Sequence, residues 1–150
     1  MWFNRVKSDL ASIPDMVDYY TSELEKSQTE VRIHGSLERN SQELPGQVSW
    51  RFSQLQEIEA ILKHLNNLYD KMRSDHYRRY LERYNRELSD RAIEKYIDGE
   101  DNIQNMSSLI NEVALIRNKY LAIIKALEIK GFQLNNIIKL RVVGMNDSVL

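Results

Sequence analysis

The strongest constraint in this sequence is a long run of apolar residues that recur at steps of four and three. Such spacing places every member on one face of an α-helix that packs along a second helix. The members are Val48, Phe52, Leu55, Ile58, Leu62, Leu65, Tyr69 and Met72. The pattern extends through Tyr80 to about Leu88, which predicts a helix of roughly 40 residues and about 60 Å. A helix of this length needs partners along its whole face.

A second apolar run, nearer the C-terminus, alternates strictly between steps of four and three. We predict that its helix ends at Lys130 and Gly131, because a basic residue and a glycine are favoured at helix C-termini. A short last helix is expected from Gln133 to about Leu140. Long helices in a short chain usually bury such runs between subunits, which predicts a homo-oligomer. The predicted oligomerisation residues are Leu109, Val113, Ile116, Tyr120, Ile123 and Leu127.

Turn residues are scarce, since the chain contains only five glycines and two prolines. Pro14 and Asp15 predict the start of a first helix that runs towards Glu38. Further breaks are predicted at Leu44-Pro45-Gly46, Ser89-Asp90 and Asp98-Gly99-Glu100-Asp101. The sequence therefore predicts an all-α, extended helical bundle in three segments. These are an N-terminal helical segment without an assigned role (1–45), a long helix with a basic and aromatic element (46–105), and an oligomerisation region (106–150).

Catalytic and metal-binding patterns are missing from the sequence. It contains no cysteine, and it has no glycine-rich phosphate loop, dinucleotide fingerprint or nucleophile elbow. Its histidines, His34, His64 and His76, form no pair with metal-ligand spacing. The acidic residues 98–101 lack the spacing of a calcium loop, which favours a solvated turn over a metal-dependent nuclease. We therefore expect a protein that is not an enzyme and uses neither a cofactor nor a metal.

The sequence also predicts where the protein works. No apolar run is long enough to span a bilayer, and the first residues lack the apolar region of a signal peptide. An aromatic pair, Trp2 and Phe3, lies beside Arg5 and Lys7, and packing against a neighbouring helix is favoured over membrane docking. We expect a cytoplasmic protein without a membrane partner.

One stretch, residues 71–86, concentrates positive charge in a chain whose formal net charge is -1. Its basic residues oppose only Asp75 and Glu82, and three tyrosines are interleaved with them. Cations that follow a phosphate backbone, with aromatic faces for unstacked bases, are typical of single-stranded nucleic-acid binding. The candidate DNA-binding residues are Lys71, Arg73, Tyr77, Arg78, Arg79, Tyr80, Arg83, Tyr84 and Arg86.

A structural interpretation of this stretch is equally open at this point. Arginines on a bundle surface pair with nearby carboxylates, and tyrosines supply packing area. A second basic stretch, from Arg117 to Arg141, contains six cations and only Glu128 as an acid. This separation of charge favours a surface that faces a polyanion.

The same residues resemble a known family, the UvsY-type recombination mediators of tailed bacteriophages. The likeness covers roughly the second half of the chain. It rests on the order of three short stretches: Lys71-Met72-Arg73-Ser74-Asp75-His76-Tyr77, then Asp90-Arg91 with Glu94-Lys95, then Ala126 to Phe132 followed by Ile137 and Arg141. His76-Tyr77 stands where the family has paired tyrosines, and Arg78 to Glu87 replaces a stretch that contains glycine.

The resemblance implies a helical protein that assembles into a ring-like homo-oligomer and binds single-stranded DNA. It also implies that the protein loads the phage recombinase onto strands covered by single-strand-binding protein, inside the host cytoplasm. Lys71 and Arg73 would contact DNA, and the segment from Leu109 to Arg141 would serve assembly. The alternative is a non-enzymatic coiled-coil scaffold or assembly adaptor, in which the basic stretch is a protein interface.

Overall fold

The structure, a computed structural model, describes residues 1–83 and 87–145. Its helices are α1 (Trp2–Ser8), α2 (Ile13–Glu30), α3 (Leu37–Arg83), α4 (Asp90–Asp98) and α5 (Asp101–Val142), and a 3₁₀ turn at Leu10–Ser12 leads into α2. The described residues contain no strand. The predicted all-α class with long helices is confirmed.

The two longest helices, α3 and α5, lie antiparallel and form the frame of the molecule. Leu44, near the start of α3, lies against Gly131, near the end of α5. In the middle of the pair, the Tyr120 hydroxyl donates to Gln54 Oε1 at 3.1 Å. At the far end, His76 Nε2 lies 2.9 Å from Asn102 Oδ1. Together these contacts fix the direction and register of the pair.

The predicted turn at Leu44-Pro45-Gly46 is wrong, because α3 continues through it from Leu37 to Arg83. A proline inside a helix removes one backbone hydrogen bond and crowds the preceding turn. The ring of Pro45 is exposed, whereas Leu44 and Val48 on either side pack against the core. The packing of α3 on α5 therefore overrides the local preference for a turn.

The predicted helix end at Lys130 and Gly131 is also wrong, because α5 runs on to Val142. A Cβ atom at Gly131 would lie 3.3 Å from Leu44 Cδ2, tighter than ordinary van der Waals contact. Gly131 thus lets α3 and α5 approach closely, and Lys130 is buried, with its Nζ donating to the Glu30 carbonyl at 2.7 Å. Both residues serve helix packing.

The helix predicted to start at Pro14 corresponds to α2, and it ends earlier than predicted. It ends at Glu30, and residues 31–36 form a link in which Gly35 adopts φ 74°, a left-handed conformation that favours glycine. Asn40 holds this link by donating from Nδ2 to the His34 carbonyl at 2.8 Å. The chain then turns back along α2 as α3.

One apolar core joins residues from all three predicted segments, and it includes Val6, Leu24, Ile58 and Val113. The residues predicted to mediate oligomerisation belong to this core. Leu109 is partly buried and packs against the core. The other five are buried: Val113, Ile116, Tyr120, Ile123 and Leu127. Because α2 and α3 already cover these side chains within one chain, their assignment to contacts between subunits needs correction.

A buried polar cluster crosses the core where α2, α3 and α5 meet. Arg51 is 2% exposed and donates to Glu23 Oε2 at 2.9 Å and to Glu30 Oε1 at 2.6 Å. Burial opposes the charge of Arg51, but the two carboxylates outweigh burial and raise its pKa. Burial likewise opposes the charge of Glu23, but hydrogen bonds from Lys26, Gln54 and Arg51 lower its pKa to about 2. The cluster is therefore charged and satisfied at neutral pH.

We predict that Arg51→Leu destabilises the fold by about 3–5 kcal/mol, because it leaves two carboxylates in the core without their cation. Urea unfolding followed by circular dichroism measures the change. The matched control is Arg39→Leu, which removes an exposed pair with Glu43. We expect the control to leave the unfolding midpoint almost unchanged, since exposed pairs contribute little. Equal effects of the two substitutions would contradict a stabilising role for the buried cluster.

Candidate nucleic-acid interface

The predicted basic stretch lies at the C-terminal end of α3, where α4 packs against it. Ile93 and Ile97 of α4 and Ile103 of α5 form a small second core, which α3 covers with Tyr69 and Met72, among others. Helix α4 starts as predicted, since the Ser89 side chain caps it by accepting from the Ala92 amide at 3.2 Å. The predicted break at residues 98–101 is confirmed as the connection between α4 and α5.

Arg73 is bound by α4. Its guanidinium donates to Asp98 Oδ1 at 2.8 Å and also to Glu94, while lying 5.7 Å from the centre of the Tyr69 ring. The hydrogen bond to Asp98, with those to Tyr69 and Glu94, raises the pKa of Arg73. The two carboxylates neutralise the guanidinium, so the structure does not present Arg73 as a free DNA contact.

The described tyrosines of the stretch also face α4. The Tyr77 hydroxyl donates to Asp90 Oδ1 at 2.6 Å, and this bond raises the pKa of Tyr77. The Tyr80 hydroxyl donates to Glu100 Oε1 at 2.6 Å, and the Tyr80 ring stacks on Tyr96 with centroids 5.7 Å apart. Their predicted role as stacking platforms for bases needs correction, because these rings already pack within the chain. Two predicted residues, Tyr84 and Arg86, lie outside the described residues.

Four predicted cations remain exposed on α3, and we call them the basic stripe: Lys71, Arg78, Arg79 and Arg83. Within the described ranges, none of the four forms an ion pair. Two exposed acids, Asp75 and Glu82, lie on the same part of the helix. Since α4 neutralises Arg73, the described part of the stretch presents a modest excess of positive charge. The stripe retains the chemistry needed to contact phosphates.

The second basic stretch does not join the basic stripe within one chain. Because α3 and α5 are antiparallel, Lys130 and Arg141 lie towards the start of α3. From the level of Leu44 to Arg78 the distance along α3 is about 50 Å at 1.5 Å per residue. Several cations of the second stretch also have partners, since Arg117 lies 3.9 Å from Glu59 and Lys125 lies 3.9 Å from Glu128. The C-terminal part of the second basic stretch therefore lies at the other end of the α3 and α5 pair from the basic stripe.

Sequence reasoning missed the acidic face that holds Arg73 and Tyr77. Its residues, Asp90, Glu94 and Asp98, recur at steps of four, which places them on one side of a helix. Ile93 and Ile97, also spaced by four, predict a buried apolar side next to the acidic one. This pattern could have identified α4 as a helix that docks on a basic partner.

We predict that Arg73→Gln loosens α4 from α3, because it removes the ion pairs with Glu94 and Asp98. Amide hydrogen exchange of Ile93 and Ile97 should accelerate about tenfold, the effect of losing roughly 1.4 kcal/mol. The control Arg78→Gln removes an exposed cation from the basic stripe and should leave exchange in α4 unchanged. Unaltered exchange in the Arg73 variant would contradict the proposed attachment of α4.

The described residues offer no metal centre and no membrane-spanning helix. Among residues 1–83 and 87–145, no group of three or more His, Asp or Glu side chains is placed to hold a metal ion. No helix in these ranges has the length and apolar character needed to cross a membrane. The sequence matches no protein-family model, and no curated protein or solved structure shows a significant likeness to it.

Proposed function

We propose that this chain is a non-enzymatic, single-stranded DNA-binding recombination mediator that acts as a homo-oligomer. The observation that carries the proposal is the basic stripe, four exposed cations that no described carboxylate neutralises. The stretch that contains it has the residue order that resembles the UvsY-type mediators. Phosphate contacts of this kind are independent of sequence, which suits a protein that must bind any exposed strand.

The mechanism follows from multivalency. A few cations per subunit bind a strand weakly, and their binding weakens further as salt rises. When several subunits hold the same strand, each additional contact is effectively intramolecular, so the total affinity rises steeply. A ring-like assembly would offer a long, bent strand to the phage recombinase and displace single-strand-binding protein from it. The recombinase and the single-strand-binding protein enter the proposal through the resemblance alone.

An uncovered apolar surface supports the homo-oligomer. Phe132 is 71% exposed and Leu121 is 47% exposed. Ile123 packs in the core, and Phe132 lies nine residues further along α5. Nine residues make two and a half turns, so Phe132 lies on the other side of the helix. On α3, Pro45 lines a groove together with Phe132. Phe52 lies two turns after Pro45 and is 51% exposed. We call Phe52, Leu121 and Phe132 the assembly face, and we propose that it replaces the buried residues of α5 as the contact between subunits.

A second candidate function is a helical scaffold or assembly adaptor without DNA binding. The binding of Arg73, Tyr77 and Tyr80 by α4 favours it, because these side chains then serve internal packing. In a scaffold, the assembly face would carry the function and the basic stripe would be a solvated surface. The two functions differ in whether DNA binds and whether that binding depends on salt.

We predict that neutralising the basic stripe weakens the binding of single-stranded DNA. The variant combines Lys71→Gln, Arg78→Gln, Arg79→Gln and Arg83→Gln. Fluorescence anisotropy of labelled oligo(dT) at several salt concentrations gives the slope of log affinity against log salt. We expect the slope to fall by about 2–3, since each lost phosphate contact on a single strand contributes about 0.7.

The matched control neutralises four exposed cations outside the basic stripe, of which Lys119 lies near the middle of the α3 and α5 pair and the others towards its other end: Arg32, Lys119, Lys139 and Arg141. It should bind oligo(dT) with nearly unchanged slope. An equal loss in both variants would show general electrostatic attraction and contradict a localised site. Absence of binding by the unmodified protein would favour the scaffold.

We predict that Phe132→Asp combined with Leu121→Asp disrupts the homo-oligomer. Burying two carboxylates at a subunit contact is strongly unfavourable, so the oligomer should dissociate. Light scattering coupled to size-exclusion chromatography measures the mass, and circular dichroism checks that the helices persist. Leu81→Asp is the control, because Leu81 is 56% exposed near the opposite end of α3. Dissociation by the control, or an unchanged mass for the double variant, would contradict the assignment of the assembly face.

A further inference from the structure

An aromatic cavity of about 590 Å³ lies where α1, α2 and the first half of α3 meet. Its volume is within the range of small-molecule sites. Helix α1 contributes Trp2 and Phe3, α2 contributes Tyr19 and Tyr20, and α3 contributes Trp50. The proposed DNA-binding function uses none of these residues.

The rings of Trp2, Tyr19 and Tyr20 contact one another and are inclined to one another. Trp2 and Tyr19 are tilted by 40°, with centroids 5.7 Å apart, and Tyr19 meets Tyr20 edge to face at 5.1 Å. Trp50 is 51% exposed at the cavity, which leaves part of its ring open to a ligand. The faces of such rings carry negative partial charge and attract cations.

Glu57 is the one charged side chain that lines the cavity. It accepts a hydrogen bond from the Phe3 amide at 2.8 Å and forms no ion pair within the described part of the chain. Met1, at the rim, is 83% exposed, and its amino group makes no ion pair with Glu57. Among the described residues, the Glu57 carboxylate at the cavity therefore has no side-chain cation paired with it.

Tyr20 lines the cavity beside Glu57. The residue is 1% exposed, and its hydroxyl has no hydrogen-bond partner among the described residues. Burial, together with the nearby Glu57 carboxylate, raises the pKa of Tyr20, so its hydroxyl stays protonated.

The rings of α1 already attract cations from their own helix. The Arg5 guanidinium carbon lies 4.2 Å from the centre of the Trp2 ring, and Lys7 Nζ lies 5.9 Å from that of Phe3. Neither cation lines the cavity. The cations that contact these rings from α1 therefore lie outside the lining of the cavity.

We propose that this cavity binds the trimethylammonium group of a free small molecule of the choline type. Aromatic faces contact the methyl groups, and Glu57 balances the positive charge. An anionic ligand would meet the uncompensated Glu57. The aromatic rings favour a methylated cation, because its methyl groups contact ring faces and need no hydrogen-bond acceptors.

The chain supplies its own reporter for this site, because its two tryptophans, Trp2 and Trp50, both line the cavity. Choline is titrated into the whole protein at constant ionic strength while tryptophan fluorescence is recorded. Its neutral isostere, 3,3-dimethyl-1-butanol, is titrated in parallel. We expect a saturable change with choline and affinity about tenfold weaker for the isostere. Equal affinities, or no saturable change with choline, would overturn the proposal.

Two variants test the parts of the site separately. Glu57→Gln keeps an oxygen for the Phe3 amide and should weaken choline binding about tenfold. Trp50→Leu removes one ring at an exposed position and should weaken it similarly, with Trp2 as the remaining reporter. The control Glu59→Gln changes a carboxylate near Arg117 of α5 and should bind like the unmodified protein. Unchanged binding by both cavity variants would overturn the assignment.

A lipid headgroup carries the same chemistry, so phosphatidylcholine vesicles form a separate arm. Flotation of the protein with these vesicles is compared with flotation with vesicles of phosphatidylglycerol. Binding to free choline without selective flotation supports the proposal. Flotation with phosphatidylcholine in the absence of choline binding would overturn it in favour of a membrane surface.

Discussion

The packing of α3 against α5 is the constraint on which the rest of the structure depends. The 47-residue helix α3 is stabilised by burying its apolar face, and α5 packs along that face from Leu44 to His76. A repeating pattern of four and three residues could, however, slip along its partner by a whole repeat. The buried cluster of Arg51, Glu23 and Glu30, with the Lys130 ammonium on the Glu30 carbonyl, has only one register that satisfies its charges.

Fixed register decides what each end of the α3 and α5 pair presents. Near the end of α3, the chain turns back through α4, whose acidic side neutralises Arg73 and whose apolar side buries Ile93 and Ile97. The remaining cations of α3 are left on the solvent side. Near the start of α3, the described elements cover only one side of the pair, and Phe52 and Phe132 stay exposed. Charge and apolar surface are therefore separated along the length of the molecule.

Sequence periodicity predicted the long helices because apolar burial repeats with the helical period, and packing along a partner is what those residues share. It failed at Pro45 and Gly131, where a local preference for ending a helix is weaker than the contact between Leu44 and the open backbone of Gly131. The exposed cations of the stripe were predictable from local charge. The binding of Arg73 and Tyr77 by α4 was not, since Asp98 lies 25 residues beyond Arg73 and Asp90 lies 13 residues beyond Tyr77 in the sequence.

The same reasoning explains why the apolar run of α5 was assigned to subunit contacts. An apolar run of this kind indicates that a helix packs against a partner. It does not indicate whether the partner belongs to the same chain or to another copy. Here α2 and α3 supply the partner, which leaves the opposite side of α5 to any second copy. Because that side lies far from the basic stripe, assembly and DNA binding would be physically separable. A ring built through the assembly face would then hold its stripes apart, so that one long strand could touch several subunits without any stripe being buried between them.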